Sequence, residues 1–575
     1  MIHQYTNFIN KKIKIIQFIL FIIVIFISIR LFYLQVNLTH YLFDRSQQNF
    51  LRKEKVESLR GNIRDCKGTL LATNRPVHNL YWQGTGKTML TDEHYAMLHQ
   101  LGKIVDNNFT TDIVDKKIMN TEKRKQQFPL FFDLSFDQLS KIIEQFPDNP
   151  NLYIDTHVKR YYPYQSLASH ILGYLGNLKI NQQGKMGLEK LCEDMLHGTH
   201  GTQLKTINSF GKNIAKITLQ KAFAGQDIDT TIDLQLQNIC ETVFPDIHVG
   251  TLILMDPADG SILGLLSRPN FDPNIFLETI TIDQWQTLQK QQPFLNRAFD
   301  ACYPPGSLFK LITMSAALEH NIISEDETLL CNGFTSFARR KYWCSRRYGH
   351  GELTIAQALA QSCNIPFYEI GKKINIDILA DYAYTFGLGK KTNLLFNEKK
   401  GIVPNKKWKE ETKGEQWWPG ETLSVAIGQS FLLVTPIQIA CMIASIFTGY
   451  LISPRILSTE PLRKQPLNLE ATTFAFLKKS MMSVVTRGTG KRINKVKDIL
   501  IYAKTSTAQI STFQKSKLND AYLEHGWFVA HFQYKKEQPL VIVILVENAG
   551  TAQVSTRIAE NFLIEYKKLI DNIND

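Results

Sequence analysis

Apolar residues run almost unbroken from Ile15 to Ile29 (IIQFILFIIVIFISI) and resume after Arg30 as LFYLQV. Taken to Val36, the run approaches the ~20 residues that cross a bilayer as a helix. Lys11, Lys12 and Lys14 precede it, and positive charge of this kind stays on the cytoplasmic side. The pattern predicts a cytoplasmic tail over 1–14, a transmembrane anchor over 15–36, and an exported chain after about residue 37. A cleaved signal peptide would follow its apolar core with small residues, whereas Arg30, Leu31, Phe32, Tyr33 and Leu34 are large. The anchor is therefore read as retained.

Beyond the anchor the periodicity changes several times. Tyr41 to Glu57 is polar and charged, a helical or extended stalk. In LRGNIRDCKGTLLATN, Leu59 to Asn74, apolar residues flank a Lys67-Gly68 turn and predict a β-hairpin. EHYAMLHQLGKIV and FDQLSKIIEQF place apolar residues at three-to-four spacing and predict helices between residues 90 and 150. Gly184 to Leu204 reads as one helix ended by Gly198 and Gly201. A second regime opens near residue 226. Its first hairpin joins two apolar runs, within Thr251 to Leu266, through Pro257-Ala258-Asp259-Gly260. Residues 307–450 are helix-rich. Three strands follow, in ILIYAKTSTAQI, HGWFVAHFQY and LVIVILVEN, and then a last helix over Ser555 to Leu569. Strands at both ends of this part, with helices between, predict a sheet assembled from its two ends. The fold class is α+β.

Composition changes this picture little. Of 575 residues, 44% are hydrophobic and 21% charged, an ordinary balance for a chain that buries sizeable cores. The length fits two to four domains at about 100–200 residues each. Charge says more. The net value of +13 suits an acidic partner such as an anionic lipid or polymer. Nucleic acid is disfavoured, because the Lys and Arg are spread along the chain and no nucleic-acid motif stands out. The eight cysteines are scattered and do not form a disulfide framework.

The chemistry begins at YPPGSLFKLITMSAALEH, Tyr303 to His320. Pro304, Pro305 and Gly306 make a turn, and helical spacing follows. Ser307 then starts a helix, with Lys310 one turn on along the same face. A serine hydroxyl becomes a nucleophile when a base takes its proton, and a desolvated lysine can be that base. Helix N-terminal N–H groups can stabilise an oxyanion. Alone the pattern is weak. It also reads as an N-cap beside a solvated charge, and it recurs at Ser209 to Lys212 (SFGK) where no helix starts. Two further groups lift it: Ser362-Cys363-Asn364 and Lys504-Thr505-Ser506-Thr507, in that order. Ser-x-x-Lys, Ser-x-Asn and Lys-Thr-Gly form one catalytic set.

With these motifs the sequence resembles the penicillin-binding transpeptidases, in particular their elongation-type class B branch, the penicillin-binding protein 2 group. The likeness runs from about Arg60 to Glu547 and includes RYYPYQSLASHILGY, GLEKLCEDMLHGTHG, GHGELTIAQALAQSCN, GETLSVAIGQ and AKTSTAQ. It implies a non-catalytic, dimerisation-type α+β pedestal over 50–225. It also implies a transpeptidase domain over 226–575, an antiparallel sheet flanked by helices. Ser307 would attack the D-Ala-D-Ala carbonyl of a peptidoglycan stem peptide, or a β-lactam. Lys310 would take and return protons, Ser362 would relay one to the leaving amine, and Asn364 would hold the substrate amide. Lys504 would supply positive charge near Ser362 and the substrate carboxylate, which Thr505 and Thr507 would bond. Backbone N–H groups of Ser307 and Thr507 would form the oxyanion hole. Ser506 departs from the family's glycine and is expected to narrow the cleft slightly.

Cys331, Cys344, His350 and Cys363 supply a full tetrahedral Cys3His set for a structural Zn2+. Elongation-type relatives resemble this, with carboxylates at some of these places. The competing reading is a Cys331–Cys344 disulfide with a surface His350 and a buried Cys363 thiol. No organic cofactor is expected. No glycosyltransferase pattern appears between residues 50 and 225, so the resemblance implies a SEDS-family glycosyltransferase partner (RodA type) within an elongation complex. It also implies a place in the inner membrane with the catalytic domain periplasmic. Rival readings are a division-specific transpeptidase (the penicillin-binding protein 3 type), a β-lactamase or D,D-carboxypeptidase, a penicillin sensor, and a catalytically weak scaffold.

Overall fold

In the computed structural model of the chain, the N-terminal apolar run folds as one helix, Ile2–Phe32, continued by a π-helical turn, Tyr33–Asn37. Only a helix or a closed barrel satisfies its own backbone in lipid. Residues Asn10–Asn37 form a helix long and apolar enough to cross a membrane, and none of it is buried in protein. The structure describes residues 2–106, 112–176, 183–207, 213–278, 280–394, 396–509 and 523–574. The second Ser-x-x-Lys pattern, Ser209 to Lys212, lies outside them.

The chain forms two interleaved units, the first made of Met1–Leu59, Arg75–Lys159 and Gly198–Gly225. Its stalk is helical over Thr39–Phe50 and extended over Leu51–Val56. That strand pairs antiparallel with Gly201–Ile207, which pairs in turn with Asn213–Gln220. A separate core brings Leu80 and Trp82 against Met97, Leu98 and Leu101 of the helix Asp92–Ile104, with Leu139 and Ile142 of the helix Phe136–Gln145. Ser135 caps the latter by accepting from Gln138 N, and Gln138 returns the bond.

The single helix expected over 184–204 is instead two short ones, Gly187–Leu191 and Glu193–Leu196, followed by the strand from Gly201. Gly198 ends the helical run in the left-handed region at φ +66°, where a side chain would overlap the Phe223 carbonyl. Thr199 then bridges Phe223, so the chain leaves as a strand and not as a helix.

The second unit holds Arg60–Asn74, Arg160–His197 and Gln226–Asp575. The elements that build its sheet and site are, in chain order, first α1 (Leu234–Val243), β1 (Gly250–Met255) and β2 (Ile262–Arg268). Next come α2 (Lys310–Glu319) and four short strands: β3 (Thr328–Cys331), β4 (Phe334–Phe337), β5 (Arg340–Trp343) and β6 (Gly351–Thr354). Helices α3 (Ile355–Ala360), α4 (Ile365–Lys373) and α5 (Pro436–Thr448) follow. The chain closes with β7 (Ile499–Ala508), β8 (His525–Tyr534), β9 (Leu540–Val546) and α6 (Gln553–Asn574).

The main sheet has the order β2-β1-β9-β8-β7, every pair antiparallel. Strands from both ends of the domain do meet, at β1 and β9. Alternation along each strand feeds two cores. Leu252, Leu254, Phe528, Ile542 and Ile544 face one core with Cys240 of α1 and Phe562 of α6. Ile253, Met255, Trp527, Val529 and Val543 face the other with Leu311 of α2 and Ile443 of α5. Covered on both faces, the sheet is a fixed wall, and its edge strand β7 packs against the turn Gly306–Leu308 that precedes α2.

Candidate active site

Ser307 lies in a 3-10 turn, Gly306–Leu308, that runs directly into α2. Gly306 holds the left-handed φ of +52° that this turn requires. Its N–H donates to the Gly428 carbonyl at 2.9 Å, and Trp527 Nε1 of β8 donates to the Pro304 carbonyl at 3.1 Å. Ser506 of β7 donates its hydroxyl to the Pro305 carbonyl at 2.9 Å. The turn before the serine is thus gripped from three sides.

The three separated motifs converge here. Ser362 Oγ donates to Ser307 Oγ at 2.8 Å. Lys504 Nζ donates to Ser362 Oγ at 3.3 Å and to the Thr505 carbonyl at 2.7 Å. Lys310 Nζ donates to the Ser362 carbonyl (2.9 Å), the Cys363 carbonyl (3.2 Å) and Asn364 Oδ1 (2.7 Å). Ser362 adopts φ +55° between α3 and α4, an unfavourable backbone for a residue with a side chain. Both lysines are fully buried while Ser307 remains partly exposed. Burial pushes Lys310 down to about 8, so a fraction is the neutral amine near neutral pH. Burial, with Lys310 as a like-charged neighbour, lowers Lys504 well below the usual lysine range.

On β7 the remaining motif side chains take different partners. Thr505 Oγ1 pairs with Thr489 Oγ1 at 2.6 Å, and Thr507 Oγ1, on an exposed residue, accepts from Ala552 N at 3.2 Å. Ser506 is only 2% exposed, its hydroxyl taken by the Pro305 carbonyl.

One residue beyond Ser362 a second cluster begins. The ligand atoms of Cys331, Cys344, His350 and Cys363 all lie within 4.8 Å of one another. Cys344 Sγ is 3.7 Å from Cys363 Sγ and 3.5 Å from His350 Nδ1, and Cys331 Sγ is 3.6 Å from the same nitrogen. All eight cysteines are free thiols, so Cys331 and Cys344 are not a disulfide. The three thiols are buried and His350 half-buried. A hydrogen bond from Cys363 lowers the Cys344 thiol, and the same bond together with burial raises Cys363.

Residues 250–563, more than half of the chain, match the penicillin binding protein transpeptidase domain. The chain belongs to the penicillin-binding transpeptidase family. Residues 55–230 of this penicillin-binding transpeptidase match the penicillin-binding protein dimerisation domain. Its relatives include the peptidoglycan D,D-transpeptidase MrdA of Acinetobacter baumannii, 28% identical over 93% of this chain and 85% of the relative. MrdA of Escherichia coli strain K12 is 26% identical over 92% and 90%. Among solved structures, PBP2 of Helicobacter pylori in complex with MreC superposes with a TM-score of 0.75 at 26% identity, covering 90% of this chain and 99% of that one. A chain of a peptidoglycan synthase complex coordinating polymerisation and crosslinking gives 0.77 at 27% identity, over 96% and 98%.

Against the family's pattern, Ser506 is where glycine is usual. Three supporting groups escaped the reading of the sequence: Gly428, Trp527 and Thr489. Gly428 stood inside GETLSVAIGQ with no chemistry of its own to mark it. Trp527 and Thr489 act through partners distant in sequence, which only the sheet brings near.

Proposed function

We propose that this chain is a peptidoglycan D,D-transpeptidase of the elongation type, with Ser307 as its acyl-accepting nucleophile. The observation that carries this is the continuous hydrogen-bonded set Lys504–Ser362–Ser307, with Lys310 anchored on the same Ser362–Asn364 loop. In the first half-reaction Ser307 Oγ bonds to the carbonyl carbon between the last two D-Ala residues. Its proton passes to Lys310 as the neutral amine, and the C–N bond breaks. The leaving D-Ala amine takes a proton through Ser362. In the second half an amine of another stem peptide attacks the ester carbonyl, a C–N bond forms as the C–O bond to Ser307 breaks, and the proton lost by that amine passes through Lys310 to Ser307 Oγ. N–H groups of Ser307 and Thr507 hold the oxyanion. Asn364 holds the substrate amide, and Lys504, Thr505 and Thr507 take the terminal carboxylate. Burial keeps Lys310 partly neutral, which lets it serve as base and then as acid.

Zinc suits the Cys3His cluster. Zn–S bonds of about 2.3 Å and Zn–N bonds of about 2.0–2.1 Å at tetrahedral angles give edges of about 3.8 Å between sulfurs and about 3.6 Å from sulfur to nitrogen. The observed 3.7, 3.5 and 3.6 Å fall on those edges. Bound there, the ion would supply structure alone, through Cys331, Cys344, His350 and Cys363. The chain would sit in the inner membrane by one span, its N-terminus cytoplasmic and its catalytic domain periplasmic. A RodA-type SEDS glycosyltransferase would make the glycan that it crosslinks.

The test is labelled penicillin on the full chain, with the adduct mapped by mass spectrometry. A long-lived adduct on Ser307, absent from Ser307→Ala, is expected. Rapid release of the β-lactam would identify a hydrolase instead.

A further inference from the structure

The β4–β5 hairpin and the loop after it carry Arg339, Arg340, Lys341, Arg346 and Arg347, with no acidic residue between Glu327 and Glu352. All five are exposed, and among the described residues none forms an ion pair with a carboxylate. Arg340, Lys341 and Arg347 lie instead over rings. The Arg347 guanidinium is 4.3 Å from the Trp343 ring centre, and the Lys341 ammonium is 4.5 Å from that of Phe334. Trp343 and Phe334 are cross-strand partners, both partly exposed, and Tyr348 beside them is 98% exposed. Cation–π contact orders a guanidinium without using its N–H edges, so those donors stay available to an anion. The hairpin closes through Ala338 and Arg339, both at positive φ (45° and 64°), although neither is the glycine or asparagine such a turn prefers.

This basic face is fixed to the loop of the active site. The Trp343 carbonyl accepts from Asn364 Nδ2 at 3.4 Å and from the Tyr368 hydroxyl at 3.5 Å. Cys344, the next residue, meets Cys363 in the thiol cluster. We propose that the β4–β5 hairpin is an anion-binding subsite that grips the carboxylate-bearing stem peptides of a peptidoglycan strand beside the cleft; this rests on the transpeptidase reading above. A strand offers repeated carboxylates, and the hairpin offers repeated, unpaired cations within one short reach. Single exposed pairs are weak, but several acting on one polymer add up. The exposed rings supply apolar surface between the charges.

The experiment measures binding of soluble, uncrosslinked peptidoglycan strands to the full chain in neutral detergent, all in the non-acylating Ser307→Ala background. Arg339→Gln/Arg340→Gln/Lys341→Gln is expected to weaken binding roughly tenfold and to remove most of its salt dependence. Amidation of the stem carboxylates, which also removes the terminal carboxylate held in the cleft, should cost the unaltered chain more affinity than it costs the triple variant. Native strands held equally well by the triple variant, or amidated strands held as well as native ones, overturn the proposal. If the triple variant loses affinity for vesicles of phosphatidylglycerol and not for strands, the surface belongs to the membrane and the proposal also falls. Should the triple variant melt early, Arg346→Gln/Arg347→Gln, tested on native and amidated strands, decides the matter. Penicillin labelling of Ser307 reports separately on the transpeptidase reading, so either idea can fail alone.

Discussion

Ser362 and Cys363 are chain neighbours that serve opposite kinds of site. Ser362 faces a partly exposed cleft, where hydroxyls and amines hold protons that must move. Cys363 faces a cluster of three buried thiols and one imidazole that together complete a ligand set. One site is left open for a substrate and the other is filled by its own side chains. A single loop joins them, and Lys310 is held by the carbonyls of both residues. The contrast teaches how a mobile chemistry is kept in register. On the reading proposed above, the closed cluster would fix the backbone of 362–364 from behind, so that the open cleft would have its hydroxyl and amide in place before substrate arrives.

The largest effect should fall on the open site alone. Ser307→Ala is expected to abolish the penicillin adduct and to lower crosslinking at least ~10³-fold, as removal of a nucleophile does. Its melting temperature and metal content should match those of the unaltered chain. Lys310→Ala should cost as much activity but also stability. It leaves the Ser362 and Cys363 carbonyls and Asn364 Oδ1 without the amine that now bonds them. If Lys310→Ala melts normally while Ser307→Ala melts early, the division into an open and a closed site is wrong.

The second effect comes from the closed site and should have the reverse signature. Elemental analysis of the purified chain is expected to find one zinc per molecule. Cys344→Ser or stripping with a chelator should remove it and lower the melting temperature, because metal binding at such sites is folding energy. Acylation of Ser307 should slow by about tenfold, the scale of losing support around a site rather than a reacting group. A metal-free chain with unchanged melting and full acylation would show that the thiols pack as ordinary core groups and that the loop needs no such backing.

The sequence made the two sites legible to different depths. Ser-x-x-Lys, Ser-x-Asn and Lys-Thr-Ser-Thr are read from residue types in order, and types survive without coordinates. The five-stranded sheet was equally legible, since continuous apolar runs such as LVIVILV require cover on both faces. The four ligands were legible as a set, but their closeness was not, because finger-like spacing was missing and only the pairing of β3 with β6 brings Cys331 to His350. Partners were least legible. Nothing in a linear reading links Trp527 to Pro304, or Ser506 to Pro305. The strand that follows Gly198 was hidden for the same reason, since Phe223 pairs with Thr199 from a distant segment.

Ser506 lets the comparison be sharpened at its finest point, because it belongs to the cleft by motif yet is buried like the cluster. Its hydroxyl bonds the Pro305 carbonyl, which also accepts from Leu308 N at 3.3 Å, so removal leaves that carbonyl one partner. The loss is therefore expected near the low end for a hydrogen bond, about 0.5–1 kcal/mol for Ser506→Ala. Ser506→Gly should cost up to about 1 kcal/mol more from backbone freedom within β7. Both should slow acylation of Ser307 a few-fold through a looser turn, with Ser506→Thr or the unaltered chain as the reference for rate. Coupling supplies the decisive reading. A side chain at Gly306 would come within 2.5 Å of Ser506 Oγ, so Gly306→Ala should be less damaging beside Ser506→Gly than alone, though the positive φ still penalises it. Additive effects, together with faster penicillin acylation in Ser506→Gly at unchanged melting temperature, would mean that the hydroxyl stands in the path of the substrate. The residue would then act on the open site by obstruction instead of holding its turn.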